Sequence, residues 1–167
     1  MALNAFLSLK GQIQGNIIGS VIQKGREGKI MVIAVSHEVN SPRDPASGLP
    51  TGYRQHSPLI ITKELDQSTP LLYTALKNNE KMTTFELQFW ALQKLSGSGN
   101  GVEKQHYTIR LTNAQICDIR FTMLNNKNPE LMRYAEYEEV AFTYQKIEWI
   151  WHLGNKIAMD DWESSQV

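Results

Sequence analysis

Alternation of apolar and polar residues is the feature that most constrains the fold of this chain. It recurs in five segments, namely "LNAFLSLK", "TTFELQFWALQ", "QHYTIRLT", "AQICDIRFTML" and "EEVAFTYQKIEWIWH". A period of two is typical of a half-buried β-strand, because successive side chains point to opposite faces of a sheet. Together with the apolar segments around 30–39 and 58–64, these runs predict six or seven strands, and the hairpin-length gaps favour antiparallel pairing.

The closing segment changes its parity between Tyr144 and Ile147, since the apolar positions move from even to odd numbers. Such a change predicts a β-bulge or a sharp bend at this point.

One segment, "DQSTPLLYTALKNNE", predicts a helix instead. Thr69 can cap the helix with its hydroxyl, and Pro70 suits the first helical position, where a missing N–H costs nothing. Leu72 lies on the same face as Leu76, with Ala75 beside them. A helix this short is marginal alone and must dock on the sheet. The predicted fold class is mainly β: a two-sheet antiparallel β-barrel or sandwich with one short flanking α-helix.

A long loop, about residues 41–58, separates two of the predicted strands. Its sequence, "SPRDPASGLPTGYRQHSP", holds four of the six prolines. Loops of this length in compact domains usually have a function. The chain has 167 residues, enough to bury a core, and we expect one domain over residues 1–167 with this extended loop and a C-terminal tail over about 154–167.

The charge of the chain is balanced, with 17 lysines and arginines against 17 aspartates and glutamates. This balance provides no electrostatic footprint for a nucleic acid or an anionic membrane. No apolar run approaches the ~20 residues of a membrane-spanning helix, and the N-terminus lacks the pattern of a signal peptide. We therefore predict no nucleic-acid partner, no stable membrane insertion and no cleavable signal, with synthesis in the cytoplasm.

No motif indicates catalysis, so the chain is predicted not to be an enzyme and to need no cofactor or metal. Cys117, the only cysteine, is expected to be an apolar filler in a strand, because no local pattern supplies an activating base. The histidines do not have the spacing of a metal-binding pair; they are His37, His56, His106 and His152.

The carboxylates give no stronger signal. Glu138 and Glu139 are adjacent in a predicted strand, so their side chains should point to opposite faces rather than form a catalytic pair. Asp160, Asp161 and Glu163 are expected to form a solvated acidic end.

Three motifs, in the same order along the chain, resemble the haemolysin-coregulated protein (Hcp) family, the tube proteins of the bacterial type VI secretion system. "LDQSTPLLYTA" resembles the helix-start motif of that family, in which a lysine precedes an aliphatic–Asp pair and Ser-(Ser/Thr)-Pro. "MALNAFLSLKGQIQG" is similar to the opening strand with its Gly-x-x-x-Gly return, and "EEVAFTYQKIEWIW" to the closing strand. The matching positions are Gly11, Gly15, Lys63, Leu65, Asp66, Ser68, Thr69, Pro70, Leu72, Ala75, Glu138 or Glu139, Val140, Phe142, Tyr144 and Ile147.

The resemblance implies a barrel of two sheets with one helix at its side, assembled into rings that are usually hexameric. In the family, rings with a wide lumen stack head-to-tail into a tube that a contracting sheath drives out of the cell. The implied partners are further copies of the chain and the spike, sheath and effector proteins. The implied destination is the extracellular space or a target cell.

Within this family the long loop has an expected role. Prolines leave a loop little conformational freedom to lose on contact, so it can act as a stiff arm that reaches the next subunit or ring. Tyr53, Arg54 and His56 are the expected contacts, because tyrosine and arginine are enriched at interfaces. Ser36 and Glu38, polar residues on one side of a predicted strand, are candidates for facing the lumen.

Two other functions stay open. A monomeric β-barrel module could bind a nucleic acid or a sugar through "WIWH" and "YTIRL", if exposed aromatic rings lie near Arg110 and Arg120. A hydrolase could use Cys117 or a serine together with a histidine.

Overall fold

The computed structural model describes residues 4–94 and 101–163 of the chain. Within these residues it contains one α-helix, α1 (Thr69–Lys77), and thirteen strands. The strands are β1 (Asn4–Gly11), β2 (Gly15–Ile17), β3 (Ile30–Val32), β4 (Ala34–Ser36), β5 (Val39–Asn40), β6 (Gln55–His56), β7 (Leu59–Glu64), β8 (Lys81–Lys94), β9 (Gly101–Thr112), β10 (Ala114–Thr122), β11 (Tyr137–Thr143), β12 (Lys146–Trp151) and β13 (Lys156–Asp161).

All strand pairs are antiparallel, and eleven strands form one curled sheet. One half of this sheet runs β3–β1–β8–β9–β12–β13, with β2 beside β1, and the other half runs β4–β7–β11–β10. Two residue pairs between β10 and β8, Ala114–Met82 and Gln115–Lys81, join the two halves. The predicted fold class, a mainly β antiparallel barrel or sandwich with one flanking helix, is confirmed.

The chain passes from one half of the sheet to the other at three corners. Ile33 separates β3 from β4, Asn113 separates β9 from β10, and Tyr144 with Gln145 separates β11 from β12. Asn113 has a φ of 51°, a left-handed conformation that asparagine tolerates better than most residues. The corner at Tyr144 is the sharp bend that the change of parity predicts.

The prediction of one continuous strand over residues 30–39 is wrong. Its first part, β3, pairs with β1, whereas its second part, β4, pairs with β7. At the corner between them, the amide of Ile33 donates a hydrogen bond of 2.8 Å to the carbonyl of Thr62. Corners of this kind, and the short strands beside the long loop, explain why the strands outnumber the prediction.

The apolar faces of both halves meet in one core. Phe85 from β8 and Phe142 from β11 pack edge to face, with ring centroids 4.9 Å apart. Both rings are buried, as are Val140 and Leu72. The core therefore joins β8, β11 and the helix, and it contains three of the residues that carry the family motifs.

The helix begins one residue earlier than predicted. Ser68, not Thr69, occupies the N-cap position and makes no capping hydrogen bond with its side chain, and Pro70 lies within the first turn. The oxygen of the Thr69 hydroxyl instead accepts from the Lys63 ammonium and the amide of Asp66, while its proton goes to the carboxylate of Glu138. Leu72 and Ala75 form the buried face of the helix, as predicted. No helix in the described ranges is long and apolar enough to span a membrane.

Each glycine of the Gly-x-x-x-Gly return after β1 meets a local structural requirement. A Cβ atom at Gly11 would lie 2.3 Å from Oε1 of Glu80. That carboxylate oxygen accepts hydrogen bonds of 2.7 Å from the amides of Ile13 and Gln14. Gly15 has a φ of 74°, a conformation that glycine adopts at little cost. Burial opposes ionisation of Glu80, but the hydrogen bonds from Gln14 and Ile13 outweigh it and lower the pKa of the carboxyl.

Phe142→Ala should lower the free energy of unfolding by about 3–5 kcal/mol, because it removes a fully buried ring and leaves a cavity against Phe85. Phe121→Ala on the neighbouring strand is the control, since that ring is 51% exposed and its loss should cost no more than about 0.5 kcal/mol. Denaturant unfolding of both variants at one protein concentration measures the difference. Equal losses would contradict the assignment of the core.

Candidate functional site

The long loop is an ordered hairpin arm, which we define as residues 41–54. At its base β5 pairs with β6 through Val39–His56 and Asn40–Gln55. Further out, Arg43 forms an isolated antiparallel bridge with Pro50. The arm therefore continues the two-stranded pairing of its base towards the tip.

The turn at the tip of the arm is organised by Asp44. Its carboxylate accepts hydrogen bonds from the amides of Ala46 and Ser47, at 3.3 and 3.1 Å, and from the Ser47 hydroxyl. These hydrogen bonds, that of the Ser47 side chain above all, hold the pKa of Asp44 below its ordinary value. Leu49 and Tyr53 are left 64% and 57% exposed. The arm thus presents two large apolar side chains on a preformed turn.

The base of the arm is bound to the last strand, β13, by ionic contacts. Arg54 donates through Nε and Nη2 to the two carboxylate oxygens of Asp160, both at 2.8 Å. His56 Nε2 lies 3.0 Å from Oδ2 of the same carboxylate. The hydrogen bond from Arg54, with that from His56, lowers the pKa of Asp160. A two-pronged arginine–carboxylate pair fixes geometry better than a single ionic contact does.

The Tyr144 hydroxyl lies between two imidazole rings at the same place. Its oxygen is 2.7 Å from Nε2 of His37 and 2.7 Å from Nδ1 of His56. Trp162 stacks on His56, with ring centroids 5.7 Å apart, and meets Tyr144 edge to face at 4.9 Å. Burial, together with the nearby charge of Asp160, raises the pKa of Tyr144 well above its ordinary range.

We name this group the anchor cluster; it consists of His37, Arg54, His56, Tyr144 and Asp160. Its placement bears on two of the three residues expected as arm contacts. The His56 side chain is only 1% exposed, whereas the Arg54 side chain is 38% exposed although it is paired with Asp160. Tyr53 is exposed on the arm as well.

The expectation of a solvated acidic end is wrong for Asp160, whose side chain is 14% exposed. Residues 156–161 form β13, which pairs with β12 in full register from Trp151–Lys156 to Lys146–Asp161. The turn between these strands, "HLGN", contains Gly154 and Asn155 with φ values of 87° and 48°. A Gly-Asn turn after an alternating strand is a hairpin signal, and it could have predicted β13.

Ser36 and Glu38, the lumen candidates, are both exposed, and Ala34 shares their side of the chain. Ser36 ends β4, which forms one free edge of the curled sheet. Cys117 is also exposed, so the prediction of a buried filler is wrong. It is the extra residue of a β-bulge, since Ile116 pairs with Phe142 and Asp118 with Ala141.

A second polar cluster is buried beside the start of the helix. The Lys63 side chain is fully buried on β7, and its ammonium lies 2.8 Å from Oε1 of Glu138 and 3.0 Å from Oδ1 of Asp66. It also donates to the Thr69 hydroxyl at 3.2 Å and to the carbonyl of Glu64 at 2.9 Å. The Thr69 hydroxyl donates in turn to Glu138 at 2.9 Å. One ammonium thus joins β7, β11 and the helix.

The loop before the helix is held by the same carboxylates. Oδ1 of Asp66 accepts from the amide of Ser68 at 2.9 Å and from the Ser68 hydroxyl. Glu138 is completely buried, whereas Glu139 is partly exposed, so these neighbours do point to opposite faces. Of the two, Glu138 is the one that joins the buried cluster.

The fold and these two clusters can be compared with known proteins. A model of the family described as "Type VI secretion system effector, Hcp" matches residues 6–151. The Major exported protein of Pseudomonas aeruginosa is 38% identical to this chain in an alignment of 173 positions, which covers 98% of this chain and 98% of that protein. This chain belongs to the Hcp family. It is therefore a component of the type VI secretion system.

Solved Hcp structures share the fold over almost the whole length. One Hcp protein is 30% identical with a TM-score of 0.86, over 98% of this chain and 99% of that one. Hcp1 from E. coli EAEC 042 is 30% identical with a TM-score of 0.81, over 95% and 98%. The secreted protein Hcp3 from Pseudomonas aeruginosa is 31% identical with a TM-score of 0.77, over 98% and 100%.

The Hcp motif residues fall into three places in the structure. Those around the helix start converge on the buried cluster: Lys63, Asp66, Ser68, Thr69 and Glu138. Pro70 lies in the first turn of the helix, and Leu72, Val140 and Phe142 belong to the core. Tyr144, from the closing motif, lies in the anchor cluster instead.

Sequence reasoning missed the partners that complete the anchor cluster. His37 lies more than a hundred residues from Asp160 and Trp162 along the chain, and no local spacing connects it to them. In the described residues, no group of three or more His, Cys, Asp or Glu side chains is arranged to hold a metal ion.

Lys63→Met should lower the free energy of unfolding by about 3–5 kcal/mol, because it leaves the Glu138 carboxylate buried without its cation. Adding Glu138→Leu should recover most of this loss, since the buried charge is then removed too. The control is Lys146→Met, whose ammonium lies 3.6 Å from Glu148 at a partly exposed site and should contribute no more than about 1 kcal/mol. Denaturant unfolding of the single and double variants measures their free energies of unfolding. A double variant as unstable as Lys63→Met would contradict the assignment.

Proposed function

We propose that this Hcp chain assembles into six-membered rings that stack head-to-tail into the inner tube of a type VI secretion system. In this role it is made in the cytoplasm, carries effectors in the lumen and leaves the cell with the tube, without a cleavable signal peptide. Its partners are further copies of itself, the spike, the sheath and the effectors. The function is structural and requires surfaces rather than a catalytic site.

The observation that carries this proposal is the similarity to Hcp structures over nearly the whole chain, with a TM-score of 0.86 at 30% identity. The matching region includes the arm, both sheet halves and the helix. The same ordered similarity favours a tube subunit over a binding module, because it extends well beyond the aromatic segment "WIWH".

The curled sheet supplies two different flanks, as a ring requires. Its free edges include β4 and β13, which belong to different halves, and a ring is built from heterologous contacts between unlike patches. Ile33 beside β4 is 56% exposed, and Ile157 and Met159 on β13 are each 58% exposed. Contact between neighbouring subunits would protect these edges, which otherwise favour aggregation.

The arm supports the stacking of rings. Its hairpin is held by its own hydrogen bonds and by the anchor cluster, so little order has to be gained on contact, and preorganisation of this kind favours binding. Leu49 and Tyr53 are the exposed apolar side chains that we assign to the neighbouring ring. Ser36 and Glu38, on the exposed side of β4 and the following residues, are assigned to the lumen.

Negative-stain electron microscopy of the purified protein, with light scattering for mass, tests the assembly directly. We expect rings with an open centre and a mass six times that of the chain, together with short stacks at high concentration. A monodisperse monomer of 19.0 kDa at high concentration would overturn the proposal.

Replacing residues 44–52 by a short Gly-Ser link should abolish stacking but keep the rings, because Arg54 and His56 still hold the base of the arm. Tyr53→Ala should also shorten the stacks, because it removes one exposed aromatic side chain of the arm. Tyr134→Ala is the matched control, since its ring is 54% exposed on another surface. Stack length in electron micrographs is the measurement. Unchanged stacks in the link variant, or equal effects of the two tyrosine variants, would contradict the role of the arm.

A further inference from the structure

The anchor cluster brings together residues from widely separated parts of the chain. His37 follows β4, His56 and Arg54 belong to the base of the arm, Tyr144 is at the corner before β12, and Asp160 is on β13. Around them, Trp149 lies beside His37 and Trp162 stacks on His56. The arm therefore meets the body of the protein through groups that can gain or lose a proton.

With both imidazoles neutral, the hydrogen bonds of this cluster form a chain with one direction. His56 donates from Nε2 to Asp160, so its neutral ring has only Nδ1 left to accept, and the Tyr144 hydroxyl donates to it. The Tyr144 oxygen can then accept from Nε2 of His37. These tautomers follow from the network, and in this arrangement every contact has one donor and one acceptor.

One added proton can be accommodated without losing a contact. If His56 becomes doubly protonated, Nδ1 donates to the Tyr144 oxygen and Nε2 still donates to Asp160. The Tyr144 hydroxyl then reverses and donates to His37, which turns its other tautomer towards the network. The new cation faces the carboxylate of Asp160, which compensates for its burial.

A second proton cannot be accommodated in the same way. With both imidazoles charged, His37 and His56 both donate to the Tyr144 oxygen, and the hydroxyl proton loses its acceptor within the cluster. Two like charges then lie at hydrogen-bond distance from one oxygen. Asp160 cannot neutralise both, because it is already paired with Arg54. The other charged side chains close to this site are Lys81 and Glu163, which lie with Tyr144 along the neighbouring surface, and the exposed Glu38 beside His37.

We propose that the anchor cluster is acid-sensitive: it holds the base of the arm onto β13 until His37 takes up the second proton, and then it releases the arm. The consequence of release is that tubes lose their ring-to-ring contacts in a mildly acidic compartment or medium. Only this consequence rests on the proposed function. The release itself is a property of the single chain.

The direction of the pH dependence follows from His37. Burial, reinforced by the neighbouring His56, lowers the pKa of His37 from its ordinary value of 6.5. A histidine that is harder to protonate in the folded state stabilises that state fully above the pKa of the unfolded chain. This stabilisation is lost as the pH falls below about 6.5, because the released ring then binds a proton that the anchored ring binds less readily.

The experiment uses the full chain labelled with 5-fluorotryptophan and observed by fluorine NMR from about pH 8 to about pH 5, the range in which histidines titrate. Trp162→Phe identifies the signal of Trp162, which reports on the ring stacked upon His56. We expect this signal to move to the position of a solvent-exposed indole, with a midpoint below 6.5. The signal of Trp90, which packs under Arg26 far along β8, should stay unchanged.

His37→Gln is the decisive variant, because glutamine can still donate to Tyr144 but cannot take up a proton. Its Trp162 signal should match that of the unmodified chain at neutral pH and should not reach the position of a solvent-exposed indole on acidification. His152→Gln removes an exposed histidine elsewhere and should leave the transition intact. A Trp162 signal that does not reach the solvent-exposed position in the unmodified chain, or that still reaches it in His37→Gln, would overturn the proposal.

If His37→Gln fails to fold, carbon-13 labelling of the histidine rings in the unmodified chain replaces it. The titration of His37 should then coincide with the movement of Trp162, and a Trp162 transition at a different pH would reject the assignment. Electron microscopy of the same samples separates the two proposals. Absence of rings at neutral pH would reject the tube function, whereas the fluorine signal would still report on the anchor cluster.

Discussion

The buried ammonium of Lys63 is the interaction on which the attachment of the helix to one half of the sheet, through β7 and β11, depends. It lies within 3.2 Å of four oxygens, contributed by β7, by the residues at the helix start and by β11. Removing a charge from water costs several kcal/mol, and only a complete set of acceptors offsets that cost. The ammonium therefore specifies one arrangement of β7, β11 and α1, because any displacement of these elements leaves a charge unpaired.

The anchor cluster also joins distant parts of the chain through charged and polar groups, but it lies nearer the surface and can change its protonation. Its contacts are partly exposed, and its central members, two imidazoles and a phenol, exchange donor and acceptor roles. The Lys63 cluster cannot change its protonation without losing a buried ion pair, whereas the anchor cluster can take up one proton by reversing a hydrogen bond. The Lys63 cluster thus suits a contact that stays fixed, and the anchor cluster suits a contact that responds to pH.

The corners of the sheet explain how these clusters are brought together. At Ile33, Asn113 and Tyr144 the chain leaves one half of the sheet and enters the other, so residues that are close in sequence serve different halves. Tyr144 shows the consequence: it belongs to the closing motif of the Hcp family, yet it contacts His37 and His56 rather than the helix start. The same corners leave β4 and β13 as unlike free edges, which is what a heterologous ring contact requires.

Much of the fold could be predicted from the sequence, because alternation fixes which faces of the strands are apolar, and the Ser-Thr-Pro signal fixes where the helix begins to within one residue. The family motifs also identified Lys63, Thr69 and Phe142 as important before any contact was known. Only the tertiary structure decided that the strand over 30–39 divides at Ile33, that Glu138 rather than Glu139 is buried, and that Asp160 and His56 hold the arm instead of facing solvent. The reason is physical: periodicity is a local property of the backbone, whereas the pairing of charges and imidazoles depends on contacts between residues about a hundred positions apart, which no local pattern encodes.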